Sequence, residues 1–150
     1  MSRLRWSAGV VTAVLATATP VLAQEASAAG RIKVVSGSAF IVRHGETIPA
    51  QLGQGVFETD GLKTGADGRI GITLKDDTRV SLGPSSELQL QRFVYEPGSG
   101  NLGMVLQFVR GAAAYVSGRM AKLAPQSIRL ETPAAIVGVR GTSVAIRVDH

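Results

Sequence analysis

The sequence contains no cysteine, and this absence limits how the chain can be stabilised. Without cysteine there is no disulfide and no thioether-linked lipid anchor, even in an exported compartment that permits disulfides. The fold must therefore be held by its apolar core. Of the 150 residues, about 120 would remain after removal of an N-terminal signal, and such a domain buries roughly two-thirds of its unfolded surface.

Histidine is scarce, and no cluster of chemically reactive residues is evident. The only histidines are His44 and His150. Ser85, Ser86 and Ser117 have no His or Lys at a recognised catalytic spacing, and there is no nucleotide-binding loop. The aspartates, including the pair Asp76-Asp77, lack the spacing of a calcium loop and are interpreted as turn residues. We therefore predict no catalytic residues, no metal site, no cofactor and no enzyme activity.

Runs of positive charge are also missing, although the chain is basic overall. Of the 16 Lys and Arg residues, Arg3 and Arg5 belong to the N-terminal segment, which leaves 14 against 11 acidic residues. The remaining basic residues are scattered and do not alternate with aromatics. Nucleic acid is therefore not expected as a partner.

The first 23 residues have the pattern of an export signal. Met1–Arg5 is basic, and the uncharged run Trp6–Ala23 ends in the small or compact residues that a cleavage site requires. Ala26–Ala28 offers a second cleavage position. An uncleaved membrane helix is the rival interpretation, but the run is short and weakly apolar for a span. We predict cleavage, no stable membrane span afterwards, and a periplasmic or secreted protein.

Short alternating segments follow, and no convincing helical period is present. Arg69–Leu74 and Glu87–Gln91 place every second residue on an apolar face, and turns recur about every ten residues. We expect an all-β fold of short antiparallel strands in two packed sheets, either a compact roll or a short β-solenoid. Only Ser117–Leu123 suggests a single helical turn. Residues 24–30 are predicted to be a flexible lead and residues 31–150 a β domain.

Two further strand predictions concern the second half of the chain. Met104–Val109 and Ala112–Val116 are predicted as strands around Arg110-Gly111. Val144, Ile146 and Val148 form a last alternating strand. An open final strand can pair with another chain, so self-association through it is a predicted possibility.

Several segments resemble, in order, those of the FecR domain family. Gly37–Arg43 comes first, and Val56–Gly65 is similar to V-x-x-G-D-x-L-x-T-G. Asp67–Leu82 is similar to the A-x-L-x-L-x-D-G-T-x-L-x-L hairpin, and Phe108–Gly111 to an L-x-x-G strand. Thr132–Thr142, TPAAIVGVRGT, resembles the closing T-P-x-A-x-x-G-V-R-G-T.

The resemblance covers nearly all of residues 34–148, with two departures. The family's Gly-Asp is inverted as Asp60-Gly61, and its Asp-Gly turn is Asp76-Asp77. Both departures alter turn chemistry rather than a reactive group.

The best-known members of this family sense iron uptake in bacteria, as a relay of an anti-sigma segment, a membrane helix, this periplasmic domain and a receptor-docking domain. Five residues before the apolar run and an end two residues after Val148 predict that only the periplasmic part is present. The resemblance then implies a non-enzymatic binding or scaffolding module of the bacterial envelope, connected with signalling. Its expected partner is an envelope protein, and the alternative is a carbohydrate- or peptidoglycan-binding module.

The closing segment contains Arg140, Gly141 and Thr142 among apolar neighbours. We predict that the Arg140 guanidinium is partly buried and paired with a carboxylate or turn carbonyl, for which Asp60 and Asp67 are candidates. Binding of an anionic ligand by Arg140 is the alternative.

Two more features of the sequence are candidate structural or contact positions. Gly138 and Gly141 predict a sharp bend or a close approach of the backbone. Phe93 and Tyr95 precede the loop Gly98–Asn101 and are candidate surface contacts for a partner or a sugar. The alternative places Phe93 in the core and Tyr95 half-exposed on a strand.

The stretch Ile41–Thr47, IVRHGET, resembles the opening motif of the histidine phosphatases. A phosphohistidine site needs a second histidine and further arginines around the phosphoryl oxygens. It also needs strands that alternate with helices, a pattern that this chain lacks. We therefore predict a strand that ends at Arg43, followed by a turn at His44-Gly45. A histidine-type phosphatase is kept only as a remote alternative.

Overall fold

The computed structural model describes Gly9, residues 27–139, Gly141 and residues 143–149. Apart from Gly9, the predicted export signal lies outside the described residues. Within them, no helix is both long enough and apolar enough to cross a membrane.

Strands account for most of the described chain. They are β1 (Gly30–Ser36), β2 (Ala39–Arg43), β3 (Glu46–Pro49), β4 (Gly55–Val56), β5 (Gly61–Thr64), β6 (Arg69–Leu74), β7 (Arg79–Leu82), β8 (Glu87–Glu96), β9 (Asn101–Val116), β10 (Ile128–Glu131), β11 (Ile136–Gly138) and β12 (Ser143–Val148). One short helix, α1 (Arg119–Leu123), and a 3₁₀ turn (Pro125–Ser127) interrupt them. The predictions of an all-β fold and of a single helical turn are confirmed.

The strands form one curled sheet in the order β3-β2-β5-β8-β9-β7-β6-β1-β4, with β10 and β12 also beside β9 and β11 beside β10. Among the described strands, every pairing is antiparallel except that of β10 with β9. The first part of β9 pairs with β8 and β10, and its last part pairs with β7 and β12. The two predicted sheets are therefore two halves of one sheet, joined by β9.

The two strands predicted on either side of Arg110-Gly111 are a single strand of 16 residues. Gly111 has φ 84°, and an added Cβ there would collide with Ser86. The Ser86 hydroxyl donates to the Ala112 carbonyl (3.1 Å) and accepts from the Ala112 N–H (3.0 Å). The strand continues through the glycine because this side-chain bridge maintains the ladder where the local conformation is irregular.

One apolar core lies between the two halves of the sheet. The predicted inward residues of β6, β7 and β8 are all buried: Ile70, Ile72, Leu74, Val80, Leu82, Leu88 and Leu90. Each such side chain contributes about 1.5–3 kcal/mol through its removal from water. At the start of the domain, Ala29 is also buried and donates its N–H to the Val56 carbonyl (2.7 Å).

Candidate binding surfaces

The IVRHGET stretch is a hairpin between β2 and β3. His44 and Gly45 have φ values of 51° and 77°, and Arg43 pairs with Glu46 across the turn. Two central residues with positive φ are typical of a type I′ hairpin turn. His44 is exposed, and His150 lies outside the described residues. The predicted turn is present, and the described residues do not form the alternating strands and helices of the phosphatases.

Arg43, the last residue of β2, forms an ion pair with the buried carboxylate of Asp60. Its Nε donates to Oδ1 (2.9 Å) and its Nη2 to Oδ2 (2.7 Å), while the guanidinium lies 4.7 Å above the ring of Phe57. The Phe57 N–H donates to Oδ2 as well (2.8 Å), and Asp60 is 1% exposed. The hydrogen bond to Asp60 raises the pKa of Arg43. These hydrogen bonds fix the conformation of the turn that leads into β5.

This pair was not anticipated from the sequence, which offered Asp60 as a partner for Arg140. The pairing of β2 with β5 sets Val42 opposite Gly61 and so brings Arg43 beside Asp60. No local pattern in the sequence indicates this strand pairing. Arg140 and Thr142 lie outside the described residues, so their roles stay predictions. Asp67, the other candidate, is exposed, and its hydrogen bonds to Ser38 lower its pKa.

The glycines of the closing segment lie on the surface. Gly138, the last residue of β11, is exposed, and Gly141 has φ 135°. The Gly141 carbonyl accepts a hydrogen bond from the Ser117 hydroxyl (3.0 Å). No described atom lies within 4 Å of where a Cβ would stand on either glycine. Backbone conformation at Gly141, rather than a close approach, is what favours glycine there.

A second buried carboxylate, Asp76, lies in the turn between β6 and β7. It accepts hydrogen bonds from the Thr78 N–H (3.1 Å) and hydroxyl (2.7 Å) and from the Met120 N–H (3.3 Å). Its own carbonyl accepts from the Arg119 N–H (2.6 Å). Asp76 therefore attaches α1 to the hairpin. The described residues hold no group of three or more His, Cys, Asp or Glu suited to a metal ion.

Phe93 and Tyr95 are half-buried on β8 and pack against the core. Their exposed parts line a cleft of about 230 Å³ together with Glu58, Lys75 and Glu96. Glu58 Oε2 accepts the Phe93 N–H (2.9 Å), which holds this carboxylate at the aromatic wall. The cleft thus combines flat apolar surface with charged groups, a combination that suits sugars and polar peptides alike.

The last strand, β12, lies at an edge of the sheet. It pairs with β9 along all six residues, and no other described strand pairs with it. Ser143, Ala145 and Arg147 are exposed, while the alternate residues Val144 and Ile146 are half-buried against the core. An edge strand without proline and with a single charge is an open template for another strand.

Fold and surface together define a class of protein: a small all-β domain with an open edge and an aromatic cleft. The family profile described as "FecR protein" matches residues 60–150, and the chain belongs to the FecR family. This family is regulatory and related to signalling at the cell envelope, and it is not known for enzymes. No curated protein and no solved structure gives a match. The matched region begins at Asp60, although β1 to β4 before it belong to the same sheet.

Proposed function

We propose that this chain is an exported FecR module that binds an envelope protein and acts as a non-enzymatic scaffold in signalling. The observation that supports binding is the open edge of β12, where six residues pair on one side only within the described structure. Export rests on the sequence of the first 23 residues.

Strand addition at β12 would satisfy main-chain groups that otherwise face water. The half-buried side chains of Val144, Ile146 and Val148 offer an apolar surface to every second residue of an added strand. Main-chain hydrogen bonds then supply affinity, and the alternating side chains supply specificity.

A second copy of the chain competes for the same edge. Antiparallel pairing of two β12 strands centred on Ala145 would place Val144 opposite Ile146 and Ser143 opposite Arg147. Such pairing does not place the two Arg147 side chains opposite each other. Self-association through β12 therefore competes with binding of a different protein at the same edge.

In-cell photo-cross-linking separates these outcomes. A photoreactive residue at Ala145 should capture an identified envelope protein, whereas the same residue at Gln89, exposed on β8, should not. Equal capture from both positions would remove the support for edge binding. Capture of a second copy alone from Ala145 would replace the protein partner with self-association.

Carbohydrate binding is the second candidate, and the cleft lined by Phe93 and Tyr95 supports it. A sugar stacks on an aromatic face and hydrogen-bonds to charged groups beside it, here those of Glu58, Lys75 and Glu96. The purified protein should then be retained on cell-wall sacculi, and Tyr95→Ala should reduce retention more than Tyr95→Phe. A wild-type protein that passes through unretained contradicts this candidate.

A further inference from the structure

One half of the sheet includes β1, β6, β7, β12 and the end of β9. The outer face of this half has an unequal distribution of charge. Four exposed arginines lie on it: Arg31, Arg69, Arg79 and Arg147. We call this surface the arginine face. None of the residues that these strand segments expose between the arginines is acidic.

The strand register places the arginines around a frame. Arg31 pairs with Thr73, which pairs with Arg79, so the two arginines are two strands apart on one row. Strand spacing makes this separation about 10 Å. Arg69 lies four residues before Thr73 along β6, which is about 13 Å. Arg147, opposite Ala112, extends the frame across β9.

Inside the frame the surface is low and free of large protruding groups because most of its side chains are small. Gly71 pairs with Ser81, Ser81 with Ala114, and Ala114 with Ala145. Val34 covers Gly71, with its Cβ 3.2 Å from where a glycine Cβ would stand, and is 55% exposed. A shallow groove of about 410 Å³ runs over this floor. Long arginine side chains can therefore reach a planar surface together.

Carboxylates of the protein itself neutralise little of the positive charge on this face. Among the described residues no carboxylate forms a salt bridge with Arg69 or Arg79, and Arg31 donates a hydrogen bond to the neutral Gly53 carbonyl. Arg147 lies 4.0 Å from the exposed Asp149. At the end of the β6–β7 hairpin, Asp77 is already paired with Arg119.

We propose that the arginine face binds the surface of an anionic phospholipid bilayer. Guanidinium groups pair with phosphate oxygens in a forked geometry, and a plane of phosphates can engage all four at once. A second copy of this chain does not fit the face, because arginines would oppose arginines.

Vesicle co-sedimentation tests the proposal with protein purified after export. Binding to phosphatidylcholine vesicles that contain phosphatidylglycerol should exceed binding to phosphatidylcholine alone and should weaken with salt. The double variant Arg69→Gln, Arg79→Gln should lose about fivefold in partitioning per charge, or about 25-fold in total. The control Lys63→Gln, Lys122→Gln removes the same charge from exposed positions on β5 and α1 and should bind nearly as well as the parent.

Several results would overturn the proposal. Equal losses in the two double variants would mean that net charge alone matters. Equal binding to neutral vesicles, or competition by inorganic phosphate at matched ionic strength, would exclude a bilayer-specific face. If the double variants unfold early, Arg79→Gln and Lys63→Gln alone make the same comparison, with about a fivefold difference expected.

Discussion

Two buried carboxylates organise the turns of this molecule at the scale of single residues. Asp60 is held by Arg43 and by the Phe57 N–H, and Asp76 by Thr78 and the start of α1. Each carboxylate accepts several hydrogen bonds, so its removal leaves donors without a partner inside the protein. The arginine of the phosphatase-like motif thus has a structural role beside Asp60.

Replacement of Asp60 by alanine should be strongly destabilising. We expect a loss of about 3 kcal/mol in unfolding free energy, because the carboxylate of this ion pair is buried while the guanidinium is partly exposed. Urea unfolding measures it. The control Asp67→Ala, at an exposed turn carboxylate, should lose much less. Similar losses in both variants would contradict the special role of Asp60.

Tyr115 should make the protein sensitive to alkaline pH. Burial raises the pKa of Tyr115, and its hydroxyl has no hydrogen-bond partner among the described atoms. The folded state therefore retains the phenol proton above about pH 10, where an unfolded tyrosine releases it. The stability from this group is complete below about pH 10 and is lost as pH rises through the raised pKa.

Urea unfolding at neutral and alkaline pH tests this expectation with Tyr115→Phe. The variant should be as stable as the parent or more stable at pH 7, and it should lose less stability on moving to alkaline pH. The control Tyr95→Phe, on the half-exposed strand β8, should keep the parental alkaline loss. An identical pH profile for parent and Tyr115→Phe would refute the assignment.

At the scale of elements, β9 is the strand on which the two sheet halves depend. It pairs with β8 and β10 at its start and with β7 and β12 at its end. Gly111 lies between these regions in a left-handed conformation against Ser86. Continuity of the sheet therefore depends on a position that only glycine fits.

Gly111→Ala should destabilise the protein by about 2 kcal/mol or more, because alanine at positive φ is strained and its Cβ meets Ser86. Gly98→Ala is the matched control, since a Cβ at Gly98 meets no atom within 4 Å. Thermal unfolding compares the two. A melting temperature of Gly111→Ala equal to that of Gly98→Ala would show that β9 accommodates a side chain.

At the scale of the whole molecule, one continuous core predicts one cooperative transition. Ile72 on β6 and Leu88 on β8 belong to different sheet halves but to the same buried cluster. Ile72→Ala and Leu88→Ala should each cost about 2–5 kcal/mol. The unfolding transition is followed by tyrosine fluorescence in variants that keep either Tyr95 or Tyr115 alone. Each core substitution should shift the transition reported by Tyr95 and that reported by Tyr115 by the same amount. A shift confined to the tyrosine of the mutated half would indicate independent halves.

Local patterns in the sequence were sufficient to predict several of the strands and turns, although the predicted break at Arg110-Gly111 lies inside the single strand β9. The alternation in Arg69–Leu74 and Glu87–Gln91 predicts β6 and the start of β8, because side chains of a half-buried strand alternate between core and water. The His44-Gly45 turn follows from the same kind of local information, since those residue types tolerate positive φ. The ordered motifs also indicate the FecR family from the sequence alone.

The sequence by itself thus determined the all-β class and the family, since both depend on residues close together in the chain. The tertiary structure decided which partners distant residues have: Arg43 with Asp60, Asp76 with α1, and β12 with the end of β9. It also gathered four scattered arginines onto one face. These outcomes depend on strand order and register, which long-range packing of the core selects and no local pattern records.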